Sequence, residues 1–378
     1  MDFNNQLSRF LKRRPLGRQY RQFWQILHLD LPLLVSLGVL VSIGFIILYS
    51  ASNQSFHMVI SQFFHLMVAI GIMILVAQLP PWWLERWAPW FYGISLLLLL
   101  AVLGLGHIAK GAQRWLSIGG FRFQPSELMK LAIPMMLAWY YQQRRLPPSK
   151  RDLFISAAII LIPAVLVAKQ PDLGTAIVLA CAGGAILLFA GISWRLLLGL
   201  FGVILVVTPV LWHFMKTYQQ QRILTFFSPE RDPRGAGYHI IQSKIAIGSG
   251  GFFGKGWLHG TQAHLHFLPE HATDFIFAVS GEEFGFIGCT LLVSAFIAIT
   301  MRGLWIANQA GDTFSRLLAG SLALMFFISA FINMGMVSGI MPVVGLPLPL
   351  VSYSGTSMLT LLASFGILMS IHGHRRLF

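Results

Sequence analysis

The sequence predicts an all-α, polytopic membrane protein of about ten transmembrane helices, and three features of its 378 residues carry that prediction. Hydrophobic residues make up 56% of the chain and charged residues only 11%, against roughly a quarter charged in a soluble domain. Mean hydropathy is +0.70. The apolar residues come in runs near the roughly 20 residues that a helix needs to cross a hydrocarbon core about 30 Å thick. They do not alternate as the strands of a β-barrel would. Together these features exclude a soluble enzyme, a disordered chain and a disulfide scaffold. Cys181 and Cys289 both lie inside apolar runs, which argues against a disulfide or a thiolate metal site.

Residues 1–30 form a basic segment carrying Arg9, Lys12, Arg13, Arg14, Arg18 and Arg21; residues 31–378 read as one transmembrane domain. Spans are expected at 31–50, 58–79, 89–107, 124–142, 153–168, 173–190, 194–214, 275–300, 315–340 and 355–371. The first is not a signal peptide, because the charged region before it is too long and the apolar run is long enough to cross. The fifth and tenth are short and need flanking residues to reach both interfaces. Arg144, Arg145, Lys150 and Arg151 between spans 4 and 5, and Arg375 and Arg376 in the tail, fall on the same side as the basic segment. That side is therefore cytoplasmic, and with it both termini. The net charge of +14 is explained largely by these loops and needs no nucleic acid.

Two connections on the other side stand out. The segment between spans 7 and 8, about 215–273, is a large extracytoplasmic loop, far longer than an ordinary connection. Within it Tyr238, Ile241 and Ile245 keep helical spacing, read as an interfacial amphipathic helix before a glycine-rich turn. The loop 341–357 is stiffened by Pro342, Pro347 and Pro349.

Charge that orientation does not explain gathers at the extracytoplasmic face: Lys110, Arg114, Arg122, Lys130 and Lys169 with Glu127, Asp172, Asp274, Glu282 and Glu283. Ionisable groups in or near hydrocarbon are costly and point to function. Glu127 and Lys130, three apart at the start of span 4, share a helix face; an ion pair closing one turn and a functional pair are both open readings. Glu282 and Glu283, two turns into span 8, are expected to pair with a buried base. Asp274, at the mouth of span 8, reads either as a helix cap or as a general base at the membrane boundary. His264, His266 and His271 lack the partners of a metal motif, and no complete phosphate-binding loop or nucleophile elbow is present.

Several runs resemble the SEDS family (shape, elongation, division and sporulation proteins), most closely its members that act in cell elongation. They are Lys110-Gly111-Ala112-Gln113-Arg114-Trp115, Phe123-Gln124-Pro125-Ser126-Glu127, Gln170-Pro171-Asp172-Leu173-Gly174-Thr175, Gly235 through Gly260, the segment around Asp274, and Pro347-Leu348-Pro349-Leu350-Val351-Ser352-Tyr353. The resemblance covers nearly all of the chain after residue 25. It implies a ten-span peptidoglycan glycosyltransferase of the bacterial inner membrane, active on the extracytoplasmic face. Such an enzyme polymerises lipid II, a polyprenyl diphosphate-linked disaccharide peptide, and works with a class B penicillin-binding transpeptidase among membrane lipids. It further implies Asp274 as the catalytic aspartate, acting as general base, and Arg114, Glu127 and Lys130 as substrate-binding residues. No metal ligand set is evident and no cofactor is demanded, although a divalent metal ion could share in neutralising the diphosphate. Two positions depart from the family pattern: Ala272 replaces the usual histidine, and Ser354 interrupts a Tyr-Gly-Gly run. Composition alone leaves open a precursor flippase or transporter, and a non-catalytic scaffold of the elongation complex.

Overall fold

The computed structural model describes residues 28–109, 112–118, 121–196, 224–231, 236–264 and 270–374, with Phe267 and isolated positions between 198 and 220. Among these residues the protein is a helical bundle, and described helices lie on nine of the ten expected spans. The seventh expected span, 194–214, lies mostly outside the described residues, as do Lys110, His266, Arg375, Arg376 and residues 1–27.

The first helices are α1 (Leu31–Ala51), α2 (Phe56–Ala77) and α3 (Pro81–Leu105). Asp30 starts α1, its Oδ1 accepting from Leu33 N at 2.9 Å. An antiparallel sheet follows, β1 (His107–Ala109), β2 (Ala112–Ile118) and β3 (Phe121–Phe123), in the order β1-β2-β3. The bundle continues with α4 (Pro125–Gln142), α5 (Lys150–Lys169) and α6 (Leu173–Phe189). Ser149 and Asp152 form a capping box on α5, and Asp172 caps α6 through Thr175 N at 3.1 Å. After a 3₁₀ turn at Pro229–Arg231 come α7 (Ala236–Gly250), α8 (Thr261–His264), α9 (Ile276–Asn308), α10 (Thr313–Val337) and α11 (Thr356–Gly373). Seven of the described helices are long and apolar enough to cross a membrane: α1, α2, α3, α5, α9, α10 and α11. Helix α6 has 17 residues, and α4 carries Glu127 and Lys130 in its first turns.

Burial sorts these helices into centre and rim. In α10, 72% of the apolar stretch is buried, and in α11 67%, but in α2 and α3 only 22%. Phe296, Phe326 and Phe365 meet ring against ring inside, while Phe63, Phe64, Leu97 and Phe154 face outward. Outward apolar side chains on a ring of long apolar helices are what lipid contact requires, so the protein is a multi-pass membrane protein.

Helix α9 is two arms joined at Gly285, whose φ of 62° and ψ of −158° no helix contains. The break frees backbone groups that hydrocarbon cannot satisfy. The glycine-rich turn after α7 does so: Lys255 N and Gly256 N donate to Glu282 O and Glu283 O, each at 3.0 Å, and Phe286 N donates to Gly251 O at 3.0 Å. Glu282, fully buried, accepts from Lys255 Nζ at 2.6 Å and from Thr261 N at 2.8 Å. The base that meets Glu282 is therefore Lys255, which is exposed and not buried as expected, and Glu283 accepts from the Ser50 hydroxyl. Helix α7 itself forms where expected, but its packed stripe is Ile240, Ser243, Ala246 and Gly250, with Ser243 Oγ donating to Val337 O at 2.9 Å. The residues read from the sequence, Tyr238, Ile241 and Ile245, fall outside this stripe; Ile245 is 46% exposed. Small residues win the contact because they let α7 close on α9 and α10.

Candidate functional site

The end of the bundle where α4, α6, α9 and α11 begin and α10 finishes gathers the polar residues singled out in the sequence. Asp274 is partly buried just before α9. The N-cap position of that helix is Phe275, whose side chain makes no cap. Asn333, fully buried in α10, donates Nδ2 to Asp274 O at 2.8 Å and to Leu346 O at 2.6 Å. One side chain thus ties the start of α9 to the proline-rich loop. In that loop Gly345 has φ 74°, and a Cβ there would stand 3.4 Å from Asp274 Oδ2. The backbone of residue 345 is consequently a wall of the space in front of the carboxylate.

The same loop is pinned on its other limb. Tyr353 N donates to Ala272 O at 2.9 Å, Leu348 N to Ser352 Oγ at 2.8 Å, and Gln62 Nε2 to Ser352 O at 3.2 Å. Its left-handed residues are Gly345 and Leu350. Ser354 is not among them, so the loop takes this course without glycine at 354.

Across the loop lies the start of α6. Gly174 packs against it so closely that a Cβ would lie 2.9 Å from Val344 O. Asp172, before this helix, holds the Arg114 side: Arg114 Nη1 is 3.8 Å from Asp172 Oδ2, and Arg114 Nε donates to Gln170 O at 3.1 Å while Nη2 donates to Pro171 O. Gln124 Nε2 donates to the same Asp172 oxygen at 2.9 Å, carrying the network to the N-terminus of α4. One turn further, Lys130 Nζ donates to Glu127 Oε1 at 2.6 Å, and Thr360 Oγ1 of α11 donates to Glu127 Oε2 at 2.8 Å. Both members of this pair are under 9% exposed.

Of the four residues selected from the sequence, Glu127 and Lys130 meet directly. Arg114 reaches them through Asp172 and Gln124, and Asp274 joins the group through the loop at Gly345. Asn333, Gln124 and Thr360 were not selected from the sequence. The signal for Asn333 was a lone amide in an apolar span; nothing marks Thr360 in the sequence, since its role depends on α11 lying beside α4. Among the described residues no group of three or more His, Cys, Asp and Glu stands together to hold a metal ion. The arrangement offers one carboxylate, Asp274, that stands outside its helix cap, and two cations, Arg114 facing Asp172 and Lys130 paired with Glu127, a pattern suited to taking up one proton and steadying an anion.

Comparison with known proteins shows the family and the fold. The family FtsW/RodA/SpoVE, described as cell cycle protein, matches residues 24–377. The peptidoglycan glycosyltransferase MrdB of Escherichia coli K12 is 50% identical over 358 residues, covering 94% of this chain and 97% of that protein. The MrdB of Helicobacter pylori 26695 is 36% identical, covering 95% and 93%. Among solved structures, a chain of a peptidoglycan synthase complex that coordinates polymerization and crosslinking superposes with a TM-score of 0.80 at 33% identity, over 91% of this chain and 97% of that one. The rod shape determining protein RodA of Thermus thermophilus gives 0.70 at 30% identity, over 92% and 97%. The chain belongs to the FtsW/RodA/SpoVE family.

Proposed function

We propose that this chain is a peptidoglycan glycosyltransferase of the bacterial inner membrane that polymerises lipid II into glycan strands, with its Asp274 end on the extracytoplasmic face. The observation that carries the residue assignment is the placing of Asp274 before α9, its carbonyl held by Asn333 and its carboxylate beside Gly345. Family membership supports the activity, and relatives covered over almost their whole length bear that name.

In the proposed step Asp274 takes the proton from the 4-hydroxyl of the acceptor GlcNAc. That oxygen bonds to the anomeric carbon of the donor MurNAc from the face opposite the lipid. The anomeric C–O bond breaks, and the polyprenyl diphosphate departs with the bonding electrons. Configuration inverts. An inverting hydrolase uses a base and an acid, but a diphosphate leaves as a stable anion and needs little protonation. Cations replace the acid: Arg114 by paired hydrogen bonds, Lys130 as a point charge. Glu127, itself held by the Thr360 hydroxyl, holds the Lys130 ammonium. A class B penicillin-binding transpeptidase is the partner that would cross-link the strand; the superposable complex supports this pairing.

The test is polymerisation of lipid II by purified protein. Asp274→Asn should remain folded in the membrane and make no polymer; normal polymer from it would return Asp274 to a structural role. Lys130→Gln should raise the donor KM, and unchanged donor kinetics would remove Lys130 from the diphosphate.

A further inference from the structure

At the end of the bundle opposite Asp274 a cavity of about 440 Å³ opens between the start of α3, the end of α4, the start of α10 and the end of α11. That volume falls within the range of small-ligand pockets. Its wall holds Trp82, Glu85, Gln142, Asp312, Ser315 and His374. In a chain of net charge +14 this lining contains two carboxylates and neither lysine nor arginine.

Two of the wall residues carry orphaned polar atoms. Ser315, 2% exposed, has a hydroxyl with no hydrogen-bond partner among the described residues, and Gln142 Oε1 is likewise without one. Buried polar atoms are almost always paired, and an exception calls for a missing partner. His374 adds an acceptor. Its Nδ1 lies 3.0 Å from Ser370 O, so Nδ1 carries the hydrogen and Nε2 keeps its lone pair. Burial, with His28 stacked 4.0 Å away, holds this imidazole below its ordinary pKa. The wall is thus acceptor-rich and negative.

Depth in the membrane points to the source of a matching donor. Trp82, Trp83, Trp87 and Trp90 are all exposed at the start of α3. Exposed tryptophans in a row mark the headgroup level of a bilayer, where the ring is half in hydrocarbon. We propose that this cavity binds the primary ammonium headgroup of an aminophospholipid, with Glu85 and Asp312 supplying charge and Gln142 and Ser315 accepting its N–H groups. A primary ammonium has three donors to match these acceptors, whereas a quaternary one has none.

The test uses the purified full-length chain in detergent, with bound lipid counted by native mass spectrometry. Phosphatidylethanolamine, phosphatidylcholine and phosphatidylglycerol are compared at equal concentration. Phosphatidylethanolamine should be retained over both others, and Glu85→Gln should weaken its binding about tenfold, the scale of one charge-assisted hydrogen bond. Ser315→Ala should weaken it less, and Trp87→Ala outside the cavity should not. Equal retention of the three lipids overturns the proposal. So does an oligolysine peptide that binds in a Glu85-dependent way while phosphatidylethanolamine does not, because the occupant would then be a basic protein segment. Asp274→Asn serves as a folded reference, whose binding should match the unaltered chain.

Discussion

Asp172 and Asp274 are both short acids at helix mouths, yet their surroundings separate them. Asp172 accepts from Thr175 N with one oxygen and from Gln124 with the other, and it faces Arg114. At α9 the cap position has passed to Phe275, one residue later, so Asp274 stands outside the helix with its carboxylate turned toward Gly345. A single amide fixes that placement. Asn333 Nδ2 donates to two carbonyls at once, Asp274 O and Leu346 O. Asn333→Leu keeps the volume but leaves both without this donor, each at a cost of about 1–3 kcal/mol if buried. The start of α9 and the loop should then part, and the carboxylate should lose its fixed distance from the donor sugar. The expected result is a kcat for lipid II polymerisation down by at least about tenfold, because positioning errors of an ångström carry penalties of that order. Protein level in the membrane should fall far less. An unchanged kcat would show that Asn333 serves folding alone.

At the scale of elements, the kinked α9 explains why some of the fold was legible in the sequence and some was not. The spans follow from apolar runs, and each described helix begins within a few residues of its expected place. Exceptions are instructive: α3 starts at Pro81, well before the expected 89, because Trp82, Trp83 and Trp87 interrupt the hydropathy while remaining helical. The sheet at 107–123 falls between two expected spans and was not anticipated, although Gly119-Gly120 between its second and third strands is a hairpin signal. The candidate acids and bases were legible because charge in an apolar chain stands out. The break at Gly285 was not, since a glycine in a helix reads as ordinary and only the neighbouring turn 251–256 shows where the freed hydrogen bonds go. Adding a Cβ at Gly285 meets the backbone of Phe252 and Gly254 and forces an L-residue into φ 62°. Gly285→Ala should therefore cost about 2–3 kcal/mol and lower the thermal midpoint in detergent. Gly248→Ala, where a Cβ meets nothing within 4 Å, is the matching control and should hold or raise it. Equal midpoints for the two variants would mean that the turn yields and that the break is not a fixed part of the fold.

Over the whole molecule, the two ends of the bundle divide the work. The end opposite Asp274 holds the first and last described residues together: Asp30 accepts from Arg302 Nε at 3.0 Å and Nη2 at 2.6 Å, and His372 Nε2 lies 3.2 Å from it. Arg302 also lies over the Trp305 ring at 4.0 Å, and His28 stacks on His374. This cluster joins α1, α9 and α11, the helices whose far ends meet near the proposed active site. Asp30 is 2% exposed, and removing one partner of a buried ion pair costs about 3–5 kcal/mol. Asp30→Asn keeps the volume and an oxygen for Leu33 N, but leaves Arg302 without its counter-charge. It should lower the thermal midpoint markedly while polymer made per folded molecule stays near that of the unaltered chain. Asp274→Asn should do the reverse, keeping the midpoint and losing polymer. Both are to be measured in detergent, where there are no two sides, so that polymer reports bond formation and not translocation. If polymer per folded molecule fell with Asp30→Asn as far as with Asp274→Asn, the cluster would be coupled to the chemistry across the membrane, and the separation of a stabilising end from a reacting end would fail.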